Sequence, residues 1–106
     1  MLENLFFEVM TPIGFRIRIT STYWKIIVTI KHPSMNGREG EVKNTLSEPD
    51  EIRRSRSDPD VYLFYKKEKA KRWICAIAKK VDDRHGFLIT TYSTEAIKEG
   101  EIIWKK

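Results

Sequence analysis

The chain has 106 residues, 41% of them apolar and three of them tryptophan, and carries a net charge of +5 with a pI near 9.4. These values describe one folded domain over 1–106 and exclude a disordered chain, while the basic balance points to acidic partners, nucleic acid foremost. A lone cysteine, Cys75, excludes an internal disulfide, and neither an apolar run of membrane-spanning length nor a leader is present, so a cytoplasmic setting without membrane contact is expected.

In chain order, residues 5–9 and 15–19 alternate as strands and are joined through Thr11-Pro12-Ile13-Gly14 as a hairpin. Phe15, Ile17 and Ile19 are expected to face a core, with Arg16 and Arg18 outside as protection of an edge strand. Thr20 and Ser21 are candidate caps for a helix over 22–32, which Pro33 stops. Its many β-branched residues make a strand the competing reading. A second helix is expected over 38–48, with Val42 and Leu46 on one face and a Glu39–Lys43 pair, and Pro49 ends it.

The stretch 50–67 reads as two strands around a turn at Ser57-Asp58-Pro59-Asp60, with Arg53, Arg54 and Arg56 before the turn and Lys66 and Lys67 after it. Several buried arginines would need individual partners, so most are expected to face solvent or an anion. A charged loop at 66–72 leads to a strand at 73–80, apolar on both faces and therefore central. A turn at Asp82–Gly86 precedes a last strand at 87–93, and the tail offers a short strand at 102–104. The expected fold class is α+β: two helices on one face of a mostly antiparallel, four- to six-stranded sheet, in the order β-β-α-α-β-β-β-β.

That order carries a helix ending in His32-Pro33 and a second ending in Glu48-Pro49-Asp50-Glu51-Ile52. It also carries the junction Leu46, Pro49, Ile52 and a late strand reading Gly86-Phe87-Leu88-Ile89-Thr90-Thr91-Tyr92. Over 15–104 the chain thereby resembles the RelE-like domains of the barnase–EndoU–colicin–RelE ribonuclease superfamily, found in toxin–antitoxin loci and on mobile elements. The resemblance implies a metal-independent endoribonuclease acting on RNA through its 2′-hydroxyl, without cofactor, and an acidic antitoxin as protein partner. Such chemistry needs a base, an acid and cations around one phosphate. By position, the resemblance carries over His32, an arginine among Arg53 and Arg54, and Thr91 as the catalytic set.

The residues themselves leave more than one reading. The imidazole of His32 suits acid–base work near neutrality, or it simply caps a helix. Alternation sends Arg54 and Arg56 to the face of Ile52 and Arg53 to the other; if Ile52 is core, Arg53 reaches the open face. Arginine clamps phosphate bidentately, yet Asp50, Glu51, Asp58 and Asp60 are at hand for ion pairs. Arg56, Tyr62, Tyr65, Lys67 and Tyr92 are the candidates for nucleic-acid contact, the tyrosines as stacking surfaces or as core. In the hydroxyl-rich run Thr90 to Ser93, Thr91 or Ser93 could hydrogen-bond a phosphate oxygen, or the threonine is only a strand former. His85 reads as surface. Two distant histidines and one apolar-flanked cysteine give no metal site, and Gly37-x-x-Gly40 follows no strand and is no phosphate loop. Binding without cleavage, on the same surface, is the rival to the nuclease, and a solubilising or interaction domain is the third reading.

Overall fold

The computed structural model describes residues 4–97 and 99–106; residues 1–3 of the expected lead-in to the first strand lie outside these. The elements are β1 (Leu5–Met10), β2 (Arg16–Thr20), α1 (Ser21–Ile26), α2 (Glu39–Ser47), β3 (Glu51–Arg54), β4 (Val61–Lys69), β5 (Arg72–Lys80), β6 (His85–Thr94) and β7 (Glu101–Lys105). The strands form one seven-stranded sheet in the order β1-β2-β6-β5-β4-β3-β7. It is antiparallel except where β2 runs parallel to β6. The expected α+β arrangement is what forms, with more strands than the four to six expected because the tail at 101–105 pairs along β3.

Local chemistry accounts for most boundaries. Gly14, at φ +90°, closes the β1–β2 turn, where the Thr11 N–H donates to the Phe15 carbonyl at 3.0 Å. The Thr20 hydroxyl accepts the Tyr23 N–H at 3.2 Å, so the cap reading, and with it the helix rather than the strand, holds at 21–26. From Ile27 to Lys31 the helix widens, the His32 N–H reaching back five residues to the Ile27 carbonyl at 2.7 Å. In the Asp58–Asp60 turn, Asp58 Oδ1 accepts the Asp60 N–H at 2.9 Å.

Three local expectations differ. The charged loop at 66–72 shrinks to Ala70-Lys71, because β4 and β5 pair out to Lys69 and Arg72. No Glu39–Lys43 ion pair forms among the described residues; Arg38 binds both Glu41 and Glu68 instead, tying the start of α2 to β4 and holding the guanidinium firmly charged. Arg16 and Arg18 do not guard an edge, since β1 and β6 flank β2 on both sides.

The sheet has two unlike faces. On one, Ile17, Ile19, Ile52, Phe64, Ala76 and Leu88 meet Trp24 and Ile27 of the first helical segment and Val42 and Leu46 of α2 in the main core. The i,i+4 pair Val42 and Leu46 is fully buried, as its spacing requires. The other face is open at both ends but covered at its centre. Leu63, Tyr65 and Cys75 are buried there beneath Ile97, because the chain leaving β6 crosses β5, β4 and β3 to reach its place as β7. No helix of the described residues is long and apolar enough to span a membrane.

Candidate functional site

Cross-strand register sorts the candidate side chains onto the two faces. Glu51, Tyr65, Cys75 and Tyr92 form one row of the covered face, and Arg53, Leu63, Ile77 and Thr90 form the next. Ile52 is fully buried in the main core, so Arg53 does lie on the face away from the helices, as alternation requires. It is not free, however. Its Nε sits 2.5 Å from the nearly buried Glu51 carboxylate, and its Nη1 reaches the carbonyls of Glu99 and Gly100. Arg56, beyond the end of β3, donates to the Gly100 carbonyl at 3.4 Å.

Arg54 lies on the opposite face. Its Nη2 donates to the Tyr62 hydroxyl at 3.3 Å and its guanidinium lies over the Tyr62 ring, a contact that raises its pKa. Asp60, Asp82 and Asp83 border the same hollow together with Lys80, so an incoming phosphate would meet three carboxylates against two cations. Tyr62 is core, packed on Phe15 at 5.4 Å between centroids. Thr91 is fully buried and gives its hydroxyl to the Cys75 carbonyl at 2.8 Å. Thr91 therefore offers nothing to a ligand, and the Tyr62 ring is not available for stacking; of Tyr62 only the hydroxyl, already engaged by Arg54, borders the hollow.

On the covered face Tyr65 is buried as well, its phenol pushed up by desolvation beside Cys75. Tyr92 is half-buried and likewise raised by burial, and its ring packs 5.4 Å from that of His32. His32 and Tyr92 are therefore brought together, but Arg53 is not brought to them. Tyr92 is on β6 and Arg53 on β3, three strand spacings apart, or about 14 Å. The buried Tyr65, Cys75 and Leu63 lie between, beneath Ile97. Lys67 stands at the exposed end of the same face, its ammonium 5.3 Å from the centre of the Trp73 ring.

Sequence reasoning passed over the part of this face that is open. Arg16 pairs in register with His85, and Arg18 with Phe87, which in turn faces Lys79 on β5. Arg16, Arg18, His85 and Phe87 are exposed. Neither arginine makes an ion pair among the described residues, although Glu8 of β1 stands across from Arg18. Lys79 is held by Asp58 at 3.2 Å, and His85 Nδ1 by Asp82 Oδ1 at 3.1 Å. Beyond Phe87 the strands part: β2 turns into α1, and a crevice of about 400 Å³ opens between them. The available signal was the alternation Phe15-Arg16-Ile17-Arg18-Ile19, which places both arginines on one face; only the parallel pairing with β6 sets an exposed aromatic beside them.

Comparison with protein-family models, curated proteins and solved structures finds no match to this chain.

Proposed function

We propose that the chain binds RNA on the open strip of its sheet formed by Arg16, Arg18, His85 and Phe87, and that it does so without cutting it. The observation that carries this reading is the pair of exposed arginines, free of ion pairs among the described residues, on an interior strand beside an exposed phenylalanine. Two arginines two residues apart on one strand face are rooted about 7 Å apart along the chain, a span that their side chains can match to successive phosphates of an extended single strand. An aromatic ring on the neighbouring strand supplies a surface on which a base can stack. The RelE-like resemblance carried by the sequence is what suggests RNA as the ligand. A reducing cytoplasm suits the buried free thiol, and an acidic antitoxin-like protein would meet the same arginines.

Cleavage has less behind it. Base, acid and cations must converge on one phosphate, whereas His32 and Arg53 are separated by the covered centre of the sheet and Thr91 is internal. The test is fluorescence anisotropy of labelled RNA over a range of salt. The double substitution Arg16→Ala, Arg18→Ala is expected to weaken binding at least about tenfold and to lower the slope of log K against log salt by about 1.4 to 1.8, for two lost phosphate contacts. Lys43→Ala on α2 serves as the control and should change little. Binding that ignores the arginine pair, or no binding at low salt, overturns the reading.

A further inference from the structure

We infer that the crevice where β2 and β6 diverge is a pocket for a single unpaired nucleobase, so that the protein selects single strands over duplexes; this rests on the RNA-binding reading above. The crevice has a reason to exist. Parallel pairing between β2 and β6 covers only Arg16–Arg18 and His85–Phe87. After that β2 leaves as α1, and the freed edge of β6 is met by a side chain instead of a strand: the Tyr23 hydroxyl donates to the Ile89 carbonyl at 2.7 Å. A side chain fills less of the gap than a strand would. What is left is a space of about 400 Å³, inside the roughly 300–1,000 Å³ of small-ligand pockets.

The lining matches a base with a phosphate on either side. Phe87, Leu88 and Ile26 give apolar walls, one of them an exposed aromatic face, and Thr20 and Tyr23 give polar edges. Arg18 borders the crevice on the strand side. Lys31 is not part of the lining but stands behind Tyr23, its ammonium 2.8 Å from the Tyr23 hydroxyl and 5.1 Å from the centre of that ring. An apolar slot bordered by one cation and backed by another fits an aromatic, uncharged heterocycle carried on an anionic chain. A base inside a duplex has both faces stacked and its edge paired, so it cannot enter without the cost of unpairing. An apolar peptide side chain would fill the walls and leave the cations unanswered.

The experiment compares a labelled single-stranded oligonucleotide with its duplex, on the full chain and on Phe87→Ala and Phe87→Trp. Phe87 is 41% exposed, and circular dichroism checks that both variants fold. Single strands are expected to bind more tightly than duplexes. Phe87→Ala is expected to weaken single-strand binding about tenfold and duplex binding by much less, while Phe87→Trp retains both, because each stacked base contributes on that scale. Ile26→Gln, which removes apolar wall on the helix side of the crevice without adding charge, is expected to act like Phe87→Ala. Equal binding of both forms, or a Phe87→Ala that has no effect or weakens both alike, overturns the pocket and leaves RNA binding standing. Absence of binding to either form overturns both.

Discussion

Arg53 shows how far the environment of one side chain decides its use. A solvated guanidinium on the open face would be a phosphate clamp, but here it answers the buried Glu51 carboxylate and two carbonyls of the crossing chain. Removing it leaves an anion in a nearly buried place, and an unpaired buried charge is costly. Arg53→Ala is therefore expected to destabilise the fold by about 2–4 kcal/mol, read as a lower urea midpoint. Adding Glu51→Gln should recover part of that loss, since the carboxylate without its partner is what costs. An unchanged midpoint in Arg53→Ala would mean that the pair is solvent-screened and that the arginine is free to bind elsewhere. Thr91 illustrates the opposite change of role: a hydroxyl that reads as an active-site group is spent inside the sheet, bonded to the neighbouring strand's backbone.

Among the elements, the crossing segment from β6 to β7 decides the most. It carries Ile97 onto Leu63, Tyr65 and Cys75 and delivers β7 to the far edge of the sheet. Gly100 makes the final turn possible. Its φ is +89°, and an added Cβ would stand 2.8 Å from the Arg54 carbonyl oxygen and 3.0 Å from the Arg53 Cβ. Gly100→Ala combines an unfavourable backbone conformation with a backbone clash, so a loss of about 2 kcal/mol is expected. Hydrogen exchange localises it: β7 amides should lose protection while the β5–β6 amides keep theirs, because β7 is an edge strand whose only ladder is with β3. Uniform loss across the sheet would refute this account of the segment as a separately docked strap. The wide last turn of the first helix acts on the same scale, delivering His32 to Tyr92 at the end of β6.

Over the whole molecule, the centre of the covered face holds three weakly acidic groups that folding keeps protonated. Burial pushes the Cys75 thiol up to about 12 from an ordinary value of 9.0, and Tyr65 and Tyr92 are raised from 10.0 for the same reason. Above pH 9 the unfolded chain gives up the cysteine proton and the folded chain does not. The unfolded state then binds fewer protons, and stability falls as pH rises. The thiol's contribution is thus complete below about pH 9 and is lost from there toward about pH 12, and that of the tyrosines begins to be lost only above about pH 10. Unfolding midpoints measured across that window should decline, and Cys75→Ala should delay the onset to the tyrosine range near pH 10 after a uniform offset of about 1 kcal/mol for the lost sulfur. A decline that begins at the same pH in both proteins would show the thiol to be solvated.

Chain-local information was enough for the α+β class, for the Thr20 cap and the Pro33 stop, and for the burial of Val42 with Leu46. It was also enough to send Tyr62 and Phe64 to one face and Tyr65 to the other. Each of these depends on dihedral preference or on side-chain period, which neighbouring residues set. The candidate site was beyond that reach. Which strand lies beside β2, what covers the centre of the sheet, and which arginines find a carboxylate are contacts between residues far apart in sequence. They emerge from packing seven strands into one order, and that packing buries Thr91, binds Arg53 to Glu51, and leaves Arg16 and Arg18 exposed beside Phe87.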